Sequence, residues 1–477
     1  MFSLDNSAQT ATIDLSPPVP SRTAEDSFDL SLEKPTAPAD KQQSSAGRAA
    51  FGHADFRYYW LARVLGVLAV DMQMTAVGWQ VYTLTGNALD LGLIGLAQII
   101  PFFLLFPVSG IAADRIPRKR IMTACVSVQT LCALLFFILT MAQAITFPLM
   151  LIILGVLGVA RSFQSPAQQA IVPVLVSKAH FANAVAWTAI ASQTARIAGP
   201  GIAGLMIIAG ETWVYGIVAL LLVSSTILTF QIKANTQIIS KEPLSINTVL
   251  AGFRFILKRQ IMLGVIALDL FAVLLGGATA LLPIYAKDIL LVGPWGFGIL
   301  RAMHMVGAFS GALFFTRWPI RRHAGIKLLS AVGIFGAAIV VFGLSTHFWL
   351  SVAALITLGA ADAVSVFVRG NLVQIITPDD MRGRVTAVNS VFIGASNEFG
   401  EFESGLTAAW WGVVPAVVVG GVGTVCVAVL FTVLFPQLRR IDSLDPDDLM
   451  GGIAEERVPS SVLATAGTPL HREFFSA

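Results

Sequence analysis

Long runs of apolar residues recur along the chain from Tyr58 to Phe435. Each run is about 20 residues long, which is the length an α-helix needs to cross a bilayer. A transmembrane β-barrel would instead show alternating segments of about ten residues, and the sequence has none. The pattern therefore predicts an all-α polytopic membrane protein.

Interruptions by Gly, Pro, Asn and charged clusters divide these runs into twelve predicted transmembrane helices. A polar connector after the sixth, "KANTQIISKEPLSINTVLAGFRFILKR", ends in an amphipathic stretch and separates two halves of six. The predicted spans are 58–84, 88–112, 119–143, 147–174, 182–208, 213–232, 260–286, 296–316, 326–345, 348–374, 384–408 and 413–435. The corresponding divisions are a tail (1–56), the first half (57–232), the connector (233–259), the second half (260–436) and a second tail (437–477).

The amino-acid composition is not that of a soluble protein. Only 12% of the 477 residues are charged and the mean hydropathy is +0.77, whereas soluble domains carry about 25% charged residues. Residues 1–56 are rich in Ser, Pro, Ala and Asp and do not resemble a signal peptide, so we expect a disordered tail.

The sequence carries no pattern that would support a metal site, ATP hydrolysis or enzyme catalysis. The three cysteines lie singly in apolar segments, which favours small core residues over a disulfide or metal framework. There is no Walker loop, HExxH helix or nucleophile elbow. We expect no cofactor, no metal and no nucleic-acid partner, and a monomer that works in the lipid bilayer.

The basic residues of the loops predict the orientation, because Lys and Arg concentrate in cytoplasmic loops. Lys287 is the single basic residue that we find in the opposite set of loops. Both termini are therefore expected in the cytoplasm. The basic set of loops holds Arg115, Arg118, Lys119, Arg120, Lys178, Lys233, Lys241, Arg254, Lys258, Arg259, Arg317, Arg321, Arg322, Lys327, Arg382 and Arg384.

The two halves resemble each other. Residues 158–205 align without gaps on residues 359–406, an offset of 201, and nearly the same offset places "GIAADRIPRKR" on "GALFFTRWPIRR". Two six-helix repeats in one orientation are typical of transporters that bind substrate between the halves, near the bilayer midplane.

"GIAADRIPRKR" resembles the signature loop between spans two and three of the major facilitator superfamily. Its carboxylate, beside cations and a helix end, predicts a latch that closes the cytoplasmic side. A positive-inside topology signal is the alternative. The second-half copy lacks the Asp. The predicted cytoplasmic gate residues are Gly110, Asp114, Arg115, Arg118 and Arg120.

The stretches "FRYYWLARVLGVLAVDMQMTAVGWQVYTLTGNALDLGLIGL", "AGFRFIL" and "MRGRVTAVNS" resemble the enterobactin-exporter-like, or transmembrane secretion effector, branch of that superfamily. "ARIAGPGIAG" resembles the span-five Gly-Pro motif of proton antiporters, with Gly199, Pro200 and Gly204 at the matching positions and Ala195 where a glycine is usual. The resemblance implies the major facilitator fold and export.

Ionisable residues within the predicted spans are candidate functional groups, because a charge near the bilayer centre costs about 2.5–3.5 kcal/mol on insertion scales. In the functional interpretation Asp71, with Glu398 or Glu401, takes up and releases protons, while Arg161 and Arg196 adjust the pKa values of these carboxylates. Static ion pairs are the alternative, including one between the repeat-equivalent Arg161 and Asp362. Arg301 and His304 share one helix face. The candidate coupling and cavity charges are Asp71, Arg161, Arg196, Asp269, Asp362, Glu398 and Glu401.

These patterns together predict a secondary active transporter of a bacterial inner membrane. The expected activity is proton-coupled export of a small organic molecule, by resemblance a siderophore or drug-like compound. A proton-symporting importer and a non-transporting membrane sensor are the alternatives.

Overall fold

The computed structural model describes residues 49–234, 246–318, 320 and 322–445. Most of both predicted tails and the start of the predicted connector lie outside this part of the chain. Twelve long helices run through the described residues. The first six are α1 (Ala54–Thr85), α2 (Ala88–Arg115), α3 (Arg118–Met141), α4 (Phe147–Leu175), α5 (Phe181–Ile207) and α6 (Glu211–Gln231). After a connector helix (Ile246–Lys258) come α7 (Gln260–Ile289), α8 (Gly293–Arg317), α9 (Ala324–Leu344), α10 (Phe348–Ile376), α11 (Asp379–Trp411) and α12 (Val413–Leu434).

Local sequence explains where several of these helices begin and end. Gly86 adopts the left-handed conformation (φ 63°) that ends α1, as glycine does at helix C-termini. The Asn87 side chain then accepts a hydrogen bond from the backbone N–H of Leu89 and caps α2. α1 begins at Ala54, four residues before the predicted span, so the end of the predicted first tail is helical.

α7 is irregular in a way that the apolar pattern did not predict. Its regular helix ends at Leu275, and a 3-10 turn (Ala278–Leu281) and a π turn (Tyr285–Ile289) follow. The break coincides with Gly276 and Gly277. A Cβ atom at Gly277 would overlap the backbone carbonyl of Gly400 on α11, so the glycine allows these two helices to approach closely.

Ten of the described helices are long and apolar enough to cross a membrane, and the other two long helices are α5 and α11. These two are also the helices that pack across the boundary between the halves, α5 on α8 and α11 on α2. Their polar residues therefore face protein and a central cavity, which explains their lower hydropathy.

Helix packing confirms the two six-helix repeats. In the first half α1 packs on α5 and α6, α2 on α4, and α3 on α4 and α6. Each pair has its counterpart six helices later, in α7 with α11 and α12, α8 with α10, and α9 with α10 and α12. The two most extensive helix contacts between the halves are α2 with α11 and α5 with α8. The repeat converts each of these contacts into the other.

The apolar core is shared at one end of the helices and divided at the other. We call the end that carries the basic loops the basic end and the opposite one the far end. At the far end one cluster includes Trp79 and Tyr215 of the first half and Phe297 and Phe342 of the second. At the basic end each half has its own cluster. The halves therefore meet at the far end and separate toward the basic end.

Two glycine contacts related by the repeat close the far end. A Cβ on Gly204 of α5 would lie 2.7 Å from Cα of Gly298 on α8, and a Cβ on Gly405 of α11 would lie 2.8 Å from Cα of Gly92 on α2. Gly204 and Gly405 differ by the repeat offset of 201. At the same end the Tyr82 hydroxyl of α1 donates a hydrogen bond to Asp288 of α7.

We expect Gly204→Val to favour opening of the far end. Overpacking costs typically about 1–3 kcal/mol, which corresponds to a shift of roughly 5- to 150-fold in a two-state population. The readout is labelling of an Asn397→Cys reporter by a membrane-impermeant thiol reagent, in a background whose three native cysteines are serines. Labelling from the far end should rise.

Gly201→Val is the matched control, because it lies on the same helix and a Cβ there meets no atom within 4 Å. Equal labelling of the two variants would show that the Gly204 contact does not hold the far end closed.

Candidate functional site

A cavity of about 610 Å³ lies between the two halves. It is lined by all six helices of the first half and by α7, α8 and α11 of the second. The lining continues to Tyr59 and Thr229, close to the basic end of α1 and α6. Because the glycine contacts close the far end, the cavity opens toward the basic end.

Most of the intramembrane charges singled out in the sequence converge on this cavity. These residues come from helices of both halves that face the space between them. Segments far apart in the sequence therefore build one polar site. The lining includes Asp71 of α1, Arg161 of α4, Arg196 of α5, Arg301 and His304 of α8, and Glu398 and Glu401 of α11.

An ion pair joins the halves across the cavity. Nη1 of Arg161 donates to Oε1 of Glu398 at 2.9 Å. The Arg161 side chain is 56% exposed and that of Glu398 12% exposed, so the pair lies at the edge of a solvated space. The alternative partner considered from the sequence, Asp362, makes no ion pair with a described residue.

Glu401 extends the acidic side of this pair. A Cβ placed on Gly95 of α2 would lie 3.1 Å from Oε2 of Glu398 and 3.4 Å from Oε2 of Glu401. The two carboxylates therefore face the same small space, which exists because residue 95 has no side chain. Two like charges that share one small space repel each other unless a cation or a proton neutralises them.

Asp71 lies against the Gly-Pro motif of α5. A Cβ on Gly199 would lie 2.9 Å from Cβ of Asp71, so the glycine makes room for this turn of α1. Arg196, Arg301 and Arg161 are all within electrostatic range of the carboxylate. None of the described ion pairs includes Asp71, so no guanidinium group of the described residues lies within ion-pair distance of this carboxylate.

The rest of the Gly-Pro motif has a packing role that the sequence did not reveal. Gly204 forms the far-end contact with Gly298, and a Cβ on Gly298 would also overlap or crowd the backbone carbonyl of Pro200. The motif therefore contacts α1 through Gly199 and the other half of the molecule through Pro200 and Gly204.

Two of the candidate charges, Asp269 and Asp362, do not line the cavity. Asp269 of α7 accepts a hydrogen bond from Arg369 of α10, and the two side chains are 8% and 5% exposed. The structure thus corrects the expectation that both face the cavity. Both lie inside the second half, because α7 and α10 bury these positions against their own neighbours.

Sequence reasoning missed Arg63 and the neutral polar lining. Arg63 of α1 donates to Gln168 of α4, and Gln168 is the repeat equivalent of Arg369. Thus equivalent positions on α4 and α10 each make a polar contact with the first helix of their half, although their partners on α1 and α7 are not at equivalent positions. Amides give no hydropathy signal as strong as a charge, which is why they escaped notice. The amide-bearing lining residues are Gln73, Gln98, Gln129, Gln164, Gln168 and Asn397.

The predicted gate motif lies at the basic end. Gly110 and Arg115 are in the last turns of α2, and Arg118 and Arg120 begin α3. Nη1 of Arg118 donates to the backbone carbonyl of Ala170 on α4 at 2.6 Å, a contact within the first half. The backbone of Asp114 belongs to α2, and its side chain lies outside the described atoms.

Comparison with known proteins identifies the family. Residues 45–465 match the family model described as transmembrane secretion effector. The enterobactin exporter EntS of Shigella boydii serotype 18 is 27% identical over 403 residues, which cover 83% of this chain and 95% of that protein.

Solved transporters share the fold. A mutant of the nucleoside transporter NupG superposes with a TM-score of 0.66 at 14% identity, covering 80% of this chain and 100% of that one. A bacterial homologue of the iron transporter ferroportin, in its inward-facing state, gives a TM-score of 0.62 at 15% identity, covering 81% and 98%. The likeness to these structures establishes the fold alone.

We expect the Asp269–Arg369 pair to be structural. Removal of one partner leaves an unpaired buried charge, which costs roughly 3–5 kcal/mol, whereas replacing both with apolar residues is often neutral. Asp269→Leu and Arg369→Leu should each lower the melting temperature in detergent strongly, and the double variant should recover most of the loss.

Arg161→Leu is the control, because its partly exposed pair should contribute little to stability. Additive losses in the Asp269/Arg369 double variant would contradict the structural role.

Proposed function

The chain belongs to the transmembrane secretion effector family of the major facilitator superfamily, and we propose that it exports a small organic molecule by proton-coupled alternating access. The observation that carries this proposal is a cavity between the two repeats that is closed at the far end, open at the basic end and lined by carboxylates. Such a site binds substrate between halves that rock around it.

The charge of the loops supports a cytoplasmic position for the basic end and for both termini. The membrane is then the inner membrane of a bacterium, in line with the bacterial source of the related exporter. In this orientation the cavity opens toward the cytoplasm. That is the state in which an exporter loads its substrate.

Asp71 is the proposed coupling group, with the Glu398–Glu401 pair as its partner site. Substrate binds from the cytoplasm while Asp71 is ionised. After the basic end closes and the far end opens, a proton from outside binds Asp71 and the substrate leaves. The protonated carrier returns, and the proton is released to the cytoplasm, because protonation shifts the balance between the two states.

When the basic end closes, the gate motif would form contacts that hold it closed. Asp114 and Arg115 belong to the last turn of α2, and Arg118 to Arg120 belong to the first turn of α3. An acidic residue and several basic residues of one short segment can form charge-assisted hydrogen bonds when the halves close. A latch at this point favours the outward-open state. It is broken when the cavity faces the cytoplasm.

A siderophore or drug-like compound is the proposed substrate, since the related protein is named as an enterobactin exporter. An importer on the same fold is the alternative, because the cytoplasm-facing state is also the one from which an importer releases its cargo. Cells lacking the protein should accumulate the exported compound, and an uncoupler should raise accumulation in complemented cells to the same level. Lower accumulation in the deletion strain would indicate import.

We expect Asp71→Asn to abolish gradient-driven transport while preserving exchange. The amide keeps the volume of the carboxyl group and part of its hydrogen bonding but cannot take up a proton. In proteoliposomes, transport driven by a pH gradient should fall by about tenfold or more, while substrate exchange without a gradient, measured at saturating substrate, should stay within about threefold of wild type.

Asp90→Asn serves as the control, because Asp90 lies in the first turn of α2 and does not line the cavity. Normal gradient-driven transport by Asp71→Asn would assign Asp71 a structural role and remove it from the coupling mechanism.

A further inference from the structure

Opposite charges face the cavity without neutralising each other directly. Asp71, Arg196 and Arg301 all line it, and no described ion pair includes any of the three. Both guanidinium groups nevertheless interact electrostatically with the carboxylate of Asp71. A carboxylate and two cations are thus held apart across a space that a ligand can fill.

Helix geometry places all three groups within roughly 12 Å of the far-end closure. Arg196 lies eight residues and Gly199, the neighbour of Asp71, five residues from Gly204 along α5. Arg301 lies three residues from Gly298 along α8. At 1.5 Å per residue these separations are roughly 12, 7.5 and 4.5 Å. Asp71 is therefore at a level between the two arginines, one from each half.

Buried hydrogen-bonding nitrogens near these charges lack partners. Gln73 is 2% exposed, and its Nε2 has no hydrogen-bond partner among the residues that the structure describes. The same holds for Nε of Arg63 and Nδ1 of His304, and all three residues line the cavity. Two of these atoms can only donate, so a ligand rich in oxygen acceptors would satisfy them.

The lining does not suit a simple lipophilic cation. Tyr59 is the one aromatic residue among the lining residues that the structure describes, whereas cation sites use several aromatic faces. The arginines, which are Arg63, Arg161, Arg196 and Arg301, outnumber the carboxylates of Asp71, Glu398 and Glu401. A cation without an acidic group would be repelled by this excess.

We propose that the substrate is amphoteric: an acidic, oxygen-bearing group binds between Arg196 and Arg301, and a cationic or strongly donating group binds Asp71. This inference rests on the proposed function, since it names the class of molecule that the export cavity takes. One such molecule contacts both halves at once, Arg196 and Asp71 in the first and Arg301 in the second.

The arrangement also makes proton and substrate compete. Protonation of Asp71 removes the anion to which the donor group of the substrate binds, so proton binding weakens substrate binding, as exchange requires. The other ionisable groups that face this site are Arg63 of α1, Arg161 of α4, Arg196 of α5, Arg301 and His304 of α8, and Glu398 and Glu401 of α11.

Three xanthene dyes test the proposal on the full-length protein in nanodiscs, with binding followed by fluorescence anisotropy. Rhodamine B carries a carboxylate and a cationic ring system, its methyl ester is only cationic, and fluorescein is only anionic. Rhodamine B should bind with at least about tenfold higher affinity than either of the other two dyes, because both its carboxylate and its cationic ring system make a charge-assisted contact.

Variants assign the two ends. Arg196→Gln should reduce rhodamine B affinity to that of the methyl ester, and Asp71→Asn should reduce it to that of fluorescein. Acidification, within the range in which rhodamine B keeps its carboxylate, should weaken binding to wild type and leave Asp71→Asn unchanged. Arg254→Gln is the matched control, because Arg254 is an exposed arginine of the connector helix outside the cavity.

Equal binding of the three dyes, no binding, or a preference for the methyl ester would overturn the proposal. So would an undiminished preference for rhodamine B in both cavity variants. Binding is measured without a gradient, so this result is separate from coupling. Loss of gradient-driven export with an intact dye preference would count against the proposed function alone.

Discussion

The close approach of helices at the far end is the constraint on which the rest of the structure depends. Gly204 against Gly298 and Gly92 against Gly405 bring the two halves into backbone contact, which side chains of any size would prevent. Because this contact is confined to one end, the apolar core is continuous there and divided at the other. The cavity is the space that this asymmetry leaves, and its depth is set by the position of the glycines.

The intramembrane charges show how packing determines the role of a residue type. Asp269 and Arg369 are enclosed within one half, where each is needed to neutralise the other. Asp71, Arg196 and Arg301 line the cavity between the halves, and no described ion pair includes any of them. The first arrangement contributes to stability. The second leaves charge available to a ligand or a proton, whose binding can then differ between the two states of the carrier.

The repeat preserves helix positions more faithfully than chemistry. Gln168 and Arg369 occupy equivalent positions, and each forms a hydrogen bond with a residue of the first helix of its half. The contact of Gln168 has a neutral acceptor and lies at the cavity, whereas that of Arg369 is a buried ion pair. Gly204 and Gly405 keep both residue type and contact. Backbone approach tolerates one residue, glycine, whereas a polar contact can be made by several residue pairs, so the repeats diverged in their polar groups.

The sequence by itself determined the twelve spans to within a few residues, the repeat and its offset, and which charges lie in the membrane, because hydrophobic length and charge are local properties of the chain. It did not determine that Arg161 pairs with Glu398, since the repeat symmetry pointed to Asp362 instead. It also missed Arg63, the amide lining and the break in α7, which depend on neighbours far away in sequence. Whether an intramembrane charge is enclosed in one half or faces the cavity depends on which helices pack together, and only the tertiary structure decides that.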